Sequence, residues 1–216
     1  RRLKPAKTNT RQGAQRFVLD LRNAAIGSDE EGIKLADLFL DAGEMAWLEG
    51  QKVPKKVFTA KAEGTVTKAP LVVITNRGTA NGAEVAAAIL QAAKRAEVVG
   101  DRTYGDAGYR SIVNMDDGSA LILTLGKYYT STAKEAIQDR GVVPSVPMSD
   151  YVRDQAEEED DSAVFDIRAF RRNRPGPETD KVVQKAVEVL KNGVPKDDQV
   201  ALRLDRLPAW LQFEAA

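Results

Sequence analysis

The stretch LVVITNRGTANGAEVAAAILQAAKR, residues 71–95, constrains the fold more than any other part of the chain. Its opening run, Leu71 to Ile74, is short and apolar and reads as a buried strand. The run breaks at Asn76-Arg77-Gly78, and an Ala-rich helix begins near Gly82. A strand that turns directly into a helix brings the side chains of the turn beside free N–H groups at the helix N-terminus. That arrangement suits the holding of a developing oxyanion. Asn81 stands at the head of this helix. Two readings of it stand side by side: a helix N-cap, for which Asn is among the best residues, or a reacting position filled by a side chain that is a very poor nucleophile at neutral pH.

Composition removes whole classes of chemistry. The chain has 216 residues, of which 43% are hydrophobic and 30% charged, enough for one substantial core and a small appendage. It contains no His and no Cys. Ser-His-Asp, Cys-His and His-zinc mechanisms are therefore excluded, along with disulfides and thiolate metal sites. A hydrolase built from this alphabet needs Ser or Thr with Lys, a carboxylate pair, or a carboxylate-bound metal. Lys+Arg and Asp+Glu both number 32, so no global basic field recruits nucleic acid or an anionic membrane. No run approaches the length of a membrane span, and the basic opening RRLKPAKTNTRQ lacks the apolar segment of a signal peptide.

Four segments follow one another at compatible spacings: RFVLDLRNAAIG (Arg16 to Gly27), GIKLADLFLDAG (Gly32 to Gly43), the NRGTANGAE turn (Asn76 to Glu84) and DDGSALILTLGKYYTSTAKEAIQDRGVVPSVPM (Asp116 to Met148). Together they resemble the carboxyl-terminal processing (tail-specific) serine peptidases. The resemblance implies an α/β fold with a crotonase-like (ClpP-like) spiral core, a C-terminal helix packing back on it, and a periplasmic or otherwise exported location. It places the family's nucleophilic serine at Asn81. The family's lysine base lies 25 residues on, in a Thr-(Phe/Tyr)-Gly-Lys turn that reads here Thr103-Tyr104-Gly105-Asp106. A glutamine found in many members becomes Arg110. Both halves of the Ser-Lys dyad are thus replaced, while Gly27, Thr79, Ala80, Gly82 and Gly105 keep the frame of a binding groove. The family's Pro-Gly-Gly loop reads Ala25, Ile26 and Gly27. The branched Ile26 is expected to resist positive φ and to crowd the loop that helps form the oxyanion hole.

Along the chain, residues 1–15 form a lead-in too short to hold the PDZ domain that such peptidases usually carry, so none is expected. Residues 16–148 read as the α/β core. Strands are expected at Arg16 to Leu21, Met45 to Leu48, Val53 to Ala60, Leu71 to Thr75, Glu97 to Gly100, Ser111 to Met115 and Ala120 to Tyr129. Asp116-Asp117-Gly118 is a strong hairpin turn. Helices are expected at Glu30 to Leu40, with Gly43 as its C-cap, and at Val85 to Lys94. Residues 149–177 carry an acidic run (Gln155 to Asp161) and a basic, Pro/Gly-punctuated one (Phe170 to Glu178), read as a charged, solvated excursion. Residues 178–216 supply an amphipathic helix, with Val182, Val183, Ala186, Val187 and Leu190 on one side, and an apolar tail, Leu202 to Phe213, expected to pack on the core.

The functional expectation is a peptidase homologue without its dyad, acting as a peptide- or ligand-binding or scaffold protein. Its expected partner is a polypeptide segment or another protein, with no cofactor or metal, no nucleic acid, no membrane insertion and the oligomeric state open. The alternative is an active serine-type endopeptidase. It would use a displaced nucleophile, from Thr79, Ser111 or Ser131 with Lys127, or residues outside this chain. A third reading pairs Asp106 with Glu84 or Asp101 for other hydrolytic or lyase chemistry.

Overall fold

The computed structural model describes residues 14–25, 27–132, 135–149, 176 and 178–194. The charged stretch at 150–175, the apolar tail Leu202 to Phe213 and Ile26 lie outside the described residues. In chain order the elements are β1 (Phe17–Asp20), α1 (Asp29–Asp37), β2 (Glu44–Gly50), β3 (Val53–Thr59), β4 (Leu71–Thr75), α2 (Gly82–Ala92), β5 (Ala96–Gly100), β6 (Gly108–Asn114), β7 (Ala120–Thr130), β8 (Val146–Pro147) and α3 (Lys181–Asn192). They make a mixed α/β fold with one parallel sheet, ordered β1-β4-β5-β8, and one antiparallel sheet, ordered β3-β2-β7-β6.

The unbroken apolar run of β4 has a direct cause. β4 pairs in parallel with both β1 and β5, and all five of its residues are buried. Leu71 and Val73 face a core shared with α1, α2 and the antiparallel sheet. Val72 and Ile74 face the opposite way, into a second core closed by α3. A strand covered on both faces has no polar side to show, so its sequence does not alternate. α3 contributes Val182, Ala186 and Val189 to that second core. The helix lies one residue-step from the expected stripe: Val187 is exposed and Val189 takes the inward place, as the 3.6-residue repeat from Val182 dictates. Asp180 caps α3 by accepting from the Val182 and Val183 amides. It also accepts from Arg22 Nη2 at 2.6 Å, which ties the helix to the chain leaving β1.

α1 opens with a capping box: Ser28 Oγ accepts from the Glu31 amide, and the Glu31 carboxylate accepts from the Ser28 amide. It ends at Asp37, earlier than its apolar spacing suggests, and Gly43 (φ +99°) stands apart from it before β2. The helix stops because Phe39 and Leu40 both turn into the core, and the Phe39 carbonyl accepts from Arg95 Nε at 2.8 Å. β6 and β7 form the expected hairpin. Its outer half leaves both faces uncovered among the described residues, with Ile112 and Ile122 each 64% exposed. Among the described residues no helix is long and apolar enough to cross a membrane.

A close backbone approach lies where α1 and α2 begin. A Cβ on Gly32 would overlap the Gly82 carbonyl, and one on Gly82 would overlap the Ser28 carbonyl. This crossing holds the start of α1 against the head of α2, beside Asn81. Gly32→Ala is therefore expected to lower stability by roughly 1–3 kcal/mol through overpacking, despite the better helix propensity of alanine. Thermal or urea unfolding of the variant checks this, and unchanged stability would show that the two helices can separate freely.

Candidate active site

The site is assembled from three turns that the parallel sheet delivers to one edge. The first follows β1. The Leu21 amide donates to the Ile74 carbonyl at 2.9 Å, which fixes where the Arg22–Ala25 turn leaves the sheet. The second follows β4 and is laced to the first. The Asn23 and Gly78 amides both donate to Asn76 Oδ1 at 3.0 Å. Thr79 Oγ1 accepts from the Asn76 amide at 3.1 Å and donates to the Leu21 carbonyl at 2.9 Å. The Ala80 amide donates to the Ala24 carbonyl at 3.0 Å. A Cβ on Gly78 would strike Asn23, so glycine is required there by proximity.

Asn81 stands at the N-cap position of α2 but does not cap it. Its backbone is at φ 54° and ψ −133°, and its side chain makes no capping hydrogen bond. Asn81 Nδ2 donates instead across to the Ala25 carbonyl at 2.9 Å. The capping reading is therefore replaced by a strained elbow whose side chain is held by the neighbouring turn. Asn tolerates positive φ better than most residues, but this backbone pair is sparsely populated and costs on the order of 1–3 kcal/mol. The amides of Gly82 and Ala83, the first two of α2, donate to no group among the described residues.

The third turn, Thr103 to Asp106, hangs on Glu84 in the first turn of α2. This carboxylate is fully buried. It accepts from Thr103 Oγ1 and, at 2.7 Å each, from the Gly105 and Asp106 amides. Burial pushes the Glu84 pKa up, and these donors pull it part of the way back. In return the Asp106 carbonyl accepts from the Asn81 amide at 2.9 Å. The Asp106 carboxylate pairs with Arg110. Gly105 sits at φ +94° with backbone atoms of Asp139 and Gly141 close behind it, so the turn needs glycine.

A groove of about 740 Å³ opens in front of Asn81, between the start of α1, the β2–β3 hairpin and the base of β6–β7. Of the positions singled out in the sequence, Asn81, Arg110 and Gly27 line it. Thr79, Ala80, Gly82 and Gly105 are buried behind it as its frame. Asp106 is held next to that frame by the Asn81 amide and Arg110. The displaced nucleophiles fare differently. Thr79 is wholly buried with its hydroxyl engaged at both ends, Ser111 and Ser131 do not line the groove, and the Lys127 ammonium pairs with Asp139 at 3.0 Å. Glu84 is occupied by the turn it anchors, and Asp101 accepts from Ser149 Oγ at 3.1 Å. Neither lines the groove.

Two groove groups were not singled out in the sequence. Asp29, the first residue of α1, lines the wall, and burial pushes its pKa up to about 6, with Arg110 opposing and Glu84 reinforcing the shift. Tyr128 is 2% exposed, and burial, then the acidic pair Asp29 and Glu30, drives its pKa upward. In the sequence Asp29 is one of three acidic residues that suit a helix N-terminus, and no signal marks the one that turns toward a cavity.

A strand, an elbow at Asn81 and a helix behind a groove make the frame that the resemblance implies for a peptidase of this class. The comparisons agree. Residues 2–148 match Peptidase family S41, and the chain belongs to that family, the C-terminal processing peptidases. Carboxyl-terminal-processing peptidase 2, chloroplastic, of Arabidopsis thaliana is 36% identical over 133 residues, covering 61% of this chain and 26% of that protein. Carboxy-terminal processing protease CtpA of Bacillus subtilis (strain 168) is 35% identical over 146 residues, covering 66% of this chain and 31% of that protein. The solved structure of a photosystem II D1 C-terminal processing protease superposes with a TM-score of 0.61 at 30% identity, covering 66% of this chain and 37% of the other. The chain thus spans about a third or less of the length of these relatives.

The Asp29 pKa makes a prediction whose sign is fixed. The folded-state value, about 6, lies above the ordinary 3.8. As pH rises from about 4 to 6 the unfolded chain loses this proton first, so ionised Asp29 weakens the fold above pH 6. Asp29→Asn is expected to raise the melting temperature at pH 8 by roughly 2–4 °C, the equivalent of about 1 kcal/mol after allowance for solvent screening. The gain should shrink to nothing near pH 4. A gain that does not vary with pH would show that Asp29 is not desolvated.

Proposed function

We propose that this chain is a family S41 protein whose groove binds an extended polypeptide segment without cutting it. One observation carries the reading: the elbow, the turn that would carry the base and the helix-head amides are all built, yet neither reacting group is present. Asn81 stands where the resemblance puts the serine, and its side chain donates to Ala25. Asp106 stands where it puts the lysine, and its carboxylate is neutralised by Arg110. Acyl transfer needs a hydroxyl to attack and a base to take its proton. The groove needs neither to hold a chain. Its apolar wall, including Leu48, Val53 and Leu125, is what an extended segment would bury. An exported location is proposed on the same resemblance. The competing reading, a working serine-type endopeptidase, needs a nucleophile from outside this groove.

Binding and cleavage are measured on the same sample. A fluorescein-labelled unstructured peptide ending in apolar residues is expected to bind saturably, with its mass unchanged after prolonged incubation. Asn81→Arg, which fills the groove, should weaken binding by about tenfold or more. Cleavage above a mock preparation that disappears in Ser111→Ala or Ser131→Ala would establish the displaced-nucleophile reading instead. Absence of both binding and cleavage would sink the peptide groove.

A further inference from the structure

Most charges around the groove have partners. Glu30 pairs with Lys56 at 3.5 Å, and Arg110 pairs with Asp106. Lys52, exposed at the β2–β3 turn, also lines the groove and has no ion pair among the described residues. The other is Asp29, half-buried, with no hydrogen bond or ion pair among the described residues. A partly desolvated carboxylate without a donor is unfavourable. The other buried carboxylates of this fold, Glu84 and Asp180, each take at least three donors.

Tyr128 repeats the pattern. Its ring is buried, and its hydroxyl makes no hydrogen bond among the described residues. The one sealed side-chain polar atom without a partner there is Gln138 Oε1. The Tyr128 hydroxyl is therefore not sealed, and the groove it lines is where it opens. Asp29 and Tyr128 thus present two vacant acceptors to one cavity. Glu30 on the same helix and Glu84 on α2 add negative potential. Arg110 on β6 is the cation that acts on Asp29, and its guanidinium is already engaged by Asp106.

We propose that the groove selects a polypeptide segment bearing a lysine or arginine, whose cationic end lies between the Asp29 carboxylate and the Tyr128 hydroxyl. This rests on the reading of the groove as a peptide site and names its specificity. Leu48, Val53 and Leu125 line the same cavity and would cover the methylene stem of such a side chain. An apolar side chain would leave both acceptors empty, and a neutral amide would donate to them without the charge. An acidic one would face Asp29 and Glu30 directly. Deprotonated Asp29 is the form that attracts a cation, and its pKa of about 6 makes the selectivity depend on pH.

The test uses the full chain and N-acetylated fluorescent peptides of about ten residues with apolar ends. The peptides are matched except for one central residue: Lys, Arg, Gln or Glu. At about pH 7.5 the Lys and Arg peptides are expected to bind at least about tenfold more tightly than the Gln peptide, as charge-assisted hydrogen bonds in a partly desolvated site allow. At about pH 5, and in Asp29→Asn at either pH, the ratio of Lys-peptide to Gln-peptide affinity should fall below about threefold. Tyr128→Phe should reduce the advantage in part. Equal affinity for Lys, Gln and Glu peptides would overturn this proposal and leave the peptide groove standing. A preference for Glu would hand the specificity to Lys52 and overturn it as well. A Gln peptide with a free N-terminus that binds as tightly as the acetylated Lys peptide would identify an α-amine as the ligand, against a side chain. Failure of every peptide to bind would reject the groove reading itself.

Discussion

The buried Glu84 carboxylate is the interaction on which the site depends. A carboxylate taken out of water without partners is prohibitively unfavourable. Here three donors, all from the Thr103 to Asp106 turn, close around it. Because α2 carries Glu84 one turn in from its N-terminus, satisfying that carboxylate also sets the turn against the elbow. The Asp106 carbonyl can then accept from the Asn81 amide, and Thr103 Oγ1 can accept from the Val142 amide. Removing Glu84 would orphan two backbone amides in a dry interior as well as lose three hydrogen bonds.

The elbow at Asn81 holds a strained backbone with an amide side chain, not a hydroxyl. Its backbone strain is upheld from both sides, by the Gly32–Gly82 crossing behind it and by the Ala24 and Ala25 carbonyls in front. Strain of this kind persists only where the surroundings over-determine it. In an acyl-transfer enzyme it would aim a hydroxyl at the substrate. In this chain it aims an amide at a neighbouring carbonyl and leaves the Gly82 and Ala83 amides unoccupied. The same turn is tied to the far side of the sheet through Arg22, which precedes Asn23 and reaches Asp180 at the head of α3. Burial opposes the charge on Asp180, yet the Arg22 guanidinium and two backbone amides hold its pKa below the usual carboxylate range. α3 therefore does more than cover Val72 and Ile74: its cap helps fix the turn that lines up with Asn81.

Much of this was legible along the chain. The unbroken run at Leu71 to Ile74, the Asn-Arg-Gly break and the Ala-rich helix determined a buried strand, an elbow and a helix, because a doubly covered strand and a packed helix leave few other sequences open. The absence of His and Cys removed mechanisms built on those residues, and the resemblance set Asn and Asp at the two positions where it calls for Ser and Lys. Tertiary structure alone decided the rest. Asn81 reads as a cap until the Ala25 carbonyl is brought across from another turn to take its amide. Glu84 reads as a carboxylate that could partner Asp106 until the turn at 103–106 folds over it. Asp29, Glu30 and Glu31 are equivalent in sequence, yet Glu31 closes the capping box, Glu30 reaches Lys56 in solvent, and Asp29 has no partner among the described residues on the groove wall. Helix phase and the approach of β6 and β7 made that distinction. Both are properties of packing between segments some 80 to 100 residues apart, and no local pattern records them.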